Sequence, residues 1–137
     1  MIPDIPATLN AFLGMWADQH GIPLYLDNIS DDKAPATYLE AHDLPATPQT
    51  LDLALSCHVY RGVYQVNVVL PAGTGTAQGR YLARQVADRF TEGMGIDGEG
   101  FTCWIAGPPA IYAGILNPRK THYTIPVSIP YRVDTAN

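Results

Sequence analysis

The sequence predicts an α+β domain in which an antiparallel sheet of about five or six strands is accompanied by two helices. Three observations lead to this prediction. Residues 63–70 alternate apolar with polar side chains, as a strand with one solvated face does. Residues 6–19 and 76–90 carry apolar residues at helical spacing. The chain also has twelve prolines and twelve glycines in 137 residues, which indicates many turns and favours antiparallel pairing over a helical bundle.

The composition is that of a single globular domain over residues 1–137, since 47% of the residues are hydrophobic and 15% are charged. The net charge of −5 argues against a nucleic-acid binder whose affinity comes from phosphate neutralisation. No apolar stretch approaches the roughly 20 residues of a membrane helix, and no basic leader opens the chain, so we expect a cytosolic protein without a membrane partner. Cys57 and Cys103 fall in predicted strands, where we expect small buried thiols in preference to a disulfide.

The N-terminal third predicts a helix, a short strand and a long arm. The helix over residues 6–19 has Pro6 in its first turn and Gly21 just past its end. Residues 23–27 read as a short strand. Residues 28–49 are rich in Asp, Pro, Ala and Thr and are too long for a simple connection, so we expect an extended arm.

The middle of the chain predicts a β-hairpin followed by a helix. Residues 51–60 and 63–70 are two apolar-rich strands, with the turn at Arg61 and Gly62. A Pro-Gly turn then leads into the helix over residues 76–90.

The C-terminal third predicts the remaining strands. Residues 93–100 form a glycine-rich connector, residues 101–106 form a strand, and residues 110–116 and 123–133 complete the sheet. Two prolines interrupt the last strand. Because proline cannot donate to a ladder, we expect this strand at an edge or with a bulge.

Motifs that would indicate catalysis, a cofactor or a metal are weak. Residues 73–79 follow a strand and open a helix as a dinucleotide loop would, but the glycine spacing is off by one and the preceding strand belongs to the antiparallel hairpin. Asp97 and Glu99 flank a glycine in a turn and lack the further oxygen ligands of a calcium loop. The histidines have no zinc spacing, and no serine lies in a nucleophile elbow. We predict no enzyme activity, no cofactor and no metal.

A charged stripe runs along the second helix. Arg80, Arg84 and Asp88 are four residues apart, on the side opposite the apolar residues of this helix. A solvated helix face is the simplest interpretation. The alternative is an interface, in which an arginine meets a carboxylate on a neighbouring subunit or lines a passage for DNA.

Three blocks of the sequence together carry a family resemblance. The first runs from Tyr60-Arg61-Gly62-Val63-Tyr64-Gln65-Val66-Asn67-Val68 through the Pro-Gly turn into the second helix. The second contains residues 22–28 and the aromatic-aliphatic step at Tyr38 and Leu39, and the third is the closing segment, residues 125–131. This arrangement resembles the tail terminator proteins of long-tailed, non-contractile phages and their prophages. Residues 107–120, rich in proline and apolar residues, depart from the pattern of that family.

The resemblance implies a structural virion protein with helices packed on one face of the sheet. Such proteins form a hexameric ring on the end of the tail tube, stop its polymerisation and present a surface to the head. The implied partners are further copies of the chain, the major tail tube protein, the head completion or connector protein, and DNA passing through the ring lumen. The implied location is the tail end of the virion, after assembly in the host cytoplasm. The candidate interface residues are Arg80, Arg84, Asp88, Tyr38, Tyr60 and Arg61.

Two other functions stay open at this point. Another phage neck or tail protein of similar shape would show the same pattern, and adjacency to a major tail tube gene would distinguish a terminator from it. A small-ligand-binding α/β domain that uses the turn at residues 73–79 would show a melting temperature that shifts with nucleotide or phosphate.

Overall fold

The computed structural model describes residues 2–26, 37–50, 57–73, 76–118 and 121–136. Within these ranges the chain forms two helices and nine strands. In chain order they are α1 Ile5–Gln19, β1 Leu24–Leu26, β2 Tyr38–Pro45, β3 Gln49–Thr50, β4 Cys57–Pro71, α2 Ala77–Arg89, β5 Gly95–Asp97, β6 Thr102–Ile105, β7 Ala110–Ile111, β8 Ile115–Leu116 and β9 His122–Ala136.

Most of the predicted elements are present. The two predicted helices are confirmed to within one residue at either end. The strands expected at residues 23–27 and 101–106 are confirmed as β1 and β6. The segment expected at residues 110–116 consists of two short pieces, β7 and β8.

The strands form one mixed sheet in the order β1-β2-β4-β9-β6-β5, with β3 beside β4 and with β7 and β8 beside β9. The predicted α+β class is confirmed, but the sheet is larger than predicted and is not purely antiparallel, because β1 and β2 run parallel. A parallel pair needs a long connection, and β1 and β2 are separated by eleven residues in the sequence. Of the strands that the sequence did not predict, β3 and β5 have only two and three residues, too few for a periodic signal, whereas β2 has eight residues and lies in the predicted arm.

The longest feature of the fold is the antiparallel ladder between β4 and β9. Each strand has 15 residues, and the two remain in one register along their whole length. The predicted hairpin turn at Arg61 and Gly62 is therefore wrong, since both residues lie inside β4. Residues 57–60 of the expected first hairpin strand belong to the same long strand, and residues 51–56 lie outside the described residues.

Position 62 inside β4 is a glycine because an aromatic ring crosses the strand there. A Cβ atom at this position would lie 2.5 Å from Oη of Tyr131 and 2.7 Å from the carbonyl oxygen of Leu44. Tyr131 is buried, and its hydroxyl donates to Oδ1 of Asp43 at 2.6 Å. The glycine thus marks the close approach of a neighbouring side chain, where the sequence pattern suggested a turn.

β9 is a central strand, so the prediction of an edge or bulged strand is wrong. β4 pairs with one side of β9, and β6, β7 and β8 pair with the other. The carbonyls of Pro126 and Pro130 accept from the backbone N–H groups of Tyr112 and Ala106, both at 2.9 Å, between the short strands. In an antiparallel strand the N–H and C=O of one residue point to the same side. The backbone positions where the prolines lack an N–H therefore face the short strands on the other side of β9. The ladder with β4 loses no hydrogen bond.

Both helices pack on one face of the sheet and enclose the core. The alternation predicted for residues 63–70 is confirmed, because Val66 and Val68 are fully buried whereas Gln65 and Asn67 are half-buried on the other face. Among the residues that form this single core are Leu9, Leu13, Leu39, Leu82, Val86, Phe90, Ile125, Val127, Ile129 and Val133.

Local sequence determines where the helices begin and how closely they approach the sheet. Oδ1 of Asp4 accepts from a backbone N–H of the first turn of α1 at 3.3 Å, and Pro6 stands where no N–H partner is needed. Gly79 of α2 is buried, and a Cβ atom there would lie 2.7 Å from side-chain atoms of Leu70 and Ile125. The lack of a side chain at Gly79 lets α2 lie directly on β4 and β9.

Two segments that were expected to be loops contain strands. In the predicted arm over residues 28–49, β2 has Leu39 and Ala41 buried between half-buried neighbours, and β3 follows it. Residues 28–36 of the arm lie outside the described residues. The connector over residues 93–100 contains β5. In each case only one or two side chains reach the core, which is too short an alternation to distinguish from a loop.

Neither cysteine is in a disulfide, and Cys103 is buried in β6. Burial, with a smaller contribution from the charge of Asp43, raises the pKa of the Cys103 thiol to about 12. It is therefore protonated at neutral pH and packs as a small apolar side chain. Among the described residues, no helix is long and apolar enough to cross a membrane.

We expect Val66→Asp to unfold the domain and Gln65→Glu to leave its stability nearly unchanged. Val66 is 0% exposed, so the new carboxylate would be buried without a partner. The Gln65 side chain lies on the solvated face, where substitutions typically change the free energy of unfolding by less than about 0.5 kcal/mol. Urea unfolding followed by circular dichroism measures both variants. Equal stability would show that the register differs by one residue.

We expect Gly62→Ala to lower the free energy of unfolding by about 1–3 kcal/mol, because the added Cβ displaces the ring of Tyr131. Gly14→Ala is the matched control. At Gly14, in the middle of α1, the nearest atom to an added Cβ is 3.9 Å away, and alanine is favoured in a helix by roughly 1 kcal/mol. The urea midpoints should therefore shift in opposite directions. A Gly62→Ala protein as stable as the wild type would contradict the packing of the ring.

Candidate functional site

The described residues contain no group of three or more His, Cys, Asp or Glu side chains that could hold a metal ion. At the turn that resembled a dinucleotide loop, Gly79 is used for packing against the sheet, and Thr76 makes no side-chain cap hydrogen bond. Residues 74–75 lie outside the described residues. Within the described part of the chain, the remaining functional candidates are surfaces.

The charged stripe is exposed along α2. Arg80, Arg84 and Asp88 are all exposed, and the opposite side of the helix is buried against the sheet, as the sequence predicted. The third arginine of this helix has a different role. Arg89 lies over the ring of Phe12 at 3.8 Å from its centroid and donates to the Phe12 carbonyl at 3.0 Å, so it joins α2 to α1. That leaves Arg80 and Arg84 as the α2 cations available to a partner, and an interface role for the stripe stays a prediction.

Tyr38 begins β2 and belongs to an aromatic cluster. Its ring meets that of Tyr25 edge to face at 5.3 Å and that of His122 at 6.2 Å. Partial burial, followed by the nearby charges of Glu40 and Tyr25, raises the pKa of the Tyr38 hydroxyl. The Tyr38 hydroxyl is therefore neutral at physiological pH.

Tyr60 and Arg61 lie beside a small apolar cavity at the opposite end of β4. The cavity has a volume of about 310 Å³. Its lining also includes Ile2, Pro3, Ile5, Pro6, Asp43, Pro45, Ala46, Pro48 and Tyr131. Successive strand residues point to opposite faces, so Tyr60 reaches the helix side and Arg61 the open side of the sheet.

The hydrogen bond between Tyr131 and Asp43 forms one wall of this cavity. Burial, and then the hydrogen bond to Asp43, raise the pKa of the Tyr131 hydroxyl far above its usual value. Tyr131 therefore remains a donor at physiological pH. The two residues are 88 positions apart in sequence, and no local pattern predicts that they meet.

The open face of the sheet carries an exposed tryptophan in register with two arginines. Trp104 of β6 lies opposite Arg132 of β9, which lies opposite Arg61 of β4. Trp104 is 49% exposed, and Nε of Arg132 donates to Oδ1 of Asp134 at 2.8 Å. Like charges directly opposite each other destabilise a sheet, and Asp134 offsets part of this repulsion. Sequence reasoning missed Trp104, because its exposure depends on which face the helices cover.

The predicted interface residues occupy three separate surfaces. The stripe lies on α2, and Tyr38 and Tyr60 lie near opposite ends of the sheet. Tyr38 pairs with Val69 in β4, nine residues from Tyr60 along the strand, a separation of about 30 Å. Tyr60 and Arg61 therefore line one cavity from opposite faces of the sheet, and Tyr38 and the stripe lie apart from them.

Comparisons with known proteins place this fold in a family. The chain matches the family described as phage tail terminator protein over residues 4–131, a range that includes both helices, β1 to β8 and most of β9. A solved protein structure that is 27% identical aligns with a TM-score of 0.77 over 94% of this chain and 92% of its own. The name of that protein indicates neither an activity nor a partner. No curated protein matches the sequence. The family match confirms the resemblance carried by the central block of the sequence. The chain therefore belongs to the phage tail terminator protein family, and its role is structural, in the phage tail.

Proposed function

We propose that copies of this chain form a hexameric ring on the end of the tail tube, stop the addition of further tube protein and present a surface to the head completion protein. The family match over residues 4–131 carries this proposal. The mechanism is steric, because a ring that covers the last layer of tube protein removes the surface on which the next layer would bind.

The fold supports a role that depends on fixed geometry. The ladder extends over the full length of β4 and β9, and both helices pack on one of its faces. The subunit can therefore act as a rigid body. Its open face, the exposed side of α2 and the ends of the sheet remain available to partners. A ring requires contacts between unlike patches of adjacent copies, and these surfaces differ in charge and polarity. Single contacts can be weak, since six copies that dock together on a six-fold tube end gain avidity.

The proposed partners are further copies of the chain, the major tail tube protein, the head completion protein and DNA in the ring lumen. The net charge of −5 disfavours tight DNA binding, which suits a passage through which DNA must slide. Arg61 and Arg132 on the open face are the cations that support a passing contact.

We expect the isolated protein to be monomeric or weakly associated at low concentration and to form closed rings at high concentration or on tail tubes. The acidic surface keeps monomers soluble, and the contacts between unlike patches become saturated only as concentration rises. Sedimentation velocity over a wide concentration range measures this. A stable symmetric dimer at every concentration would contradict the proposal.

We expect the double variant Arg80→Glu/Arg84→Glu to fold normally and to fail in assembly. Both side chains are exposed, so the free energy of unfolding should change by less than about 1 kcal/mol. In a complementation test, tails made with the variant should exceed their normal length or remain unjoined to heads. Normal tail length and infectivity would show that the stripe is only a solvated helix face.

A further inference from the structure

We propose that each copy in the ring places the surface around the start of α2 and β7–β8 into the groove between α1 and the β5–β6 turn of the next copy. This inference rests on the proposed function, because it needs a ring. The first surface, the α2–β8 patch, consists of Arg80, Ile111, Tyr112 and Leu116. The second, the acidic groove, consists of Ile2, Asp4, Asp97, Glu99 and Phe101.

The α2–β8 patch lies in the segment with the highest local concentration of exposed apolar side chains. Nine large apolar side chains are exposed in the described part of the chain, and four of them fall between residues 111 and 116. These are Ile111 at 40%, Tyr112 at 55%, Ile115 at 61% and Leu116 at 45%. Scattered exposed apolar residues are ordinary, whereas their concentration in one short segment makes that segment a candidate interaction surface.

The patch is held in a fixed shape. β7 and β8 both pair with β9, and the N–H of Tyr112 donates to the carbonyl of Pro126 at 2.9 Å. Gly114 lies so close to the ring of Tyr123 that no side chain would fit at this position. A preformed surface loses little conformational entropy when it docks.

Arg80 gives the patch its charge. It lines a cavity of about 390 Å³ together with Thr76, Ile111, Tyr112 and Tyr123. Arg84, one helical turn further along α2, is also exposed. The patch therefore combines apolar side chains with positive charge and requires a partner of the same apolar character and the opposite charge.

The acidic groove has these properties. Its volume is about 550 Å³, and three of the ten residues that line it are acidic while none is basic. Ile2 is 83% exposed at its rim, and Phe101 contributes an aromatic wall. Asp97 accepts a hydrogen bond from Thr102 at 3.0 Å, whereas Glu99 is exposed in the turn. The groove thus offers carboxylates for Arg80 and Arg84 and apolar walls for Tyr112.

The two surfaces lie at opposite ends of the subunit, so they can meet only between copies. β8 pairs with β9 at Thr124, and β6 pairs with it at Arg132, eight residues further on. This separation is about 26 Å along the strand. It greatly exceeds the Debye length of about 8 Å at physiological salt, so the opposite charges do not neutralise each other within one chain. Contacts between unlike patches at opposite ends produce head-to-tail assemblies, which close into a ring when the rotation between neighbouring copies allows closure.

A charge-swap mixing experiment tests the contact. One variant is Arg80→Glu/Arg84→Glu, and the other is Asp97→Lys/Glu99→Lys. Asp4 is left unchanged because it caps α1. Each variant alone brings like charges together and should require about tenfold or more protein to form rings. In an equimolar mixture every contact between the two variants is again between opposite charges, so alternating rings should form near the wild-type concentration.

Two controls separate this contact from general charge effects and from misfolding. Asp18→Lys/Glu92→Lys makes the same change in net charge as Asp97→Lys/Glu99→Lys, at exposed residues outside both surfaces, and should assemble like the wild type. Tyr112→Ser should weaken assembly without a change in charge, whereas Tyr81→Ser, at 60% exposure outside the patch, should not. Urea midpoints near the wild-type value confirm that each variant is folded.

The outcomes are distinct. Ring formation restored only in the mixture supports the contact. Two results would overturn the contact without overturning the wild-type ring on the tube. One is that either charge variant assembles alone like the wild type, and the other is that the folded variants fail to assemble when mixed. A wild-type protein that forms no ring in solution or on tubes would overturn the ring and this inference with it.

Discussion

The antiparallel ladder between β4 and β9 is the interaction on which the rest of the structure depends. It gives every other element a fixed place: β2 and β3 pair with β4, three short strands pair with β9, and both helices cover one face of the pair. The ladder stays continuous although the ring of Tyr131 crosses β4 and two prolines lie in β9. Gly62 provides space for the ring of Tyr131, and the prolines of β9 direct their missing N–H groups away from β4.

A long ladder covered on one face also determines where function can lie. The core fills the space between the helices and the sheet, so the surfaces that partners can contact include the open face, the outer sides of both helices and the two ends of the sheet. The ends differ in character, since one carries apolar side chains beside Arg80 and the other carries the carboxylates of Asp97 and Glu99. A subunit with unlike ends at a fixed distance is suited to the proposed ring, and the family to which the chain belongs places the protein in the phage tail.

Helix positions, the buried face of the alternating strand and the family could be read from the sequence, because each depends on local periodicity or on a motif several residues long. Features that depend on contacts between distant residues could not. Gly62 resembles a turn residue until Tyr131 is seen to cross it, and the prolines of β9 resemble edge markers until its neighbours are known. The stripe at Arg80 and Arg84 could be predicted from the sequence. Asp97 and Glu99 resembled an ordinary solvated turn, because only the fold places Ile2 and Phe101 beside them in one groove.

The function proposed for this protein is to end the growth of the tail tube by covering its last layer. The most direct measurement is electron microscopy of tubes grown from the major tail tube protein, with this protein added during growth in far smaller amount than the tube subunits. We expect growth to stop and each tube to carry a ring of density at one end. Tubes that grow at the same rate, to the same length and with bare ends would contradict it.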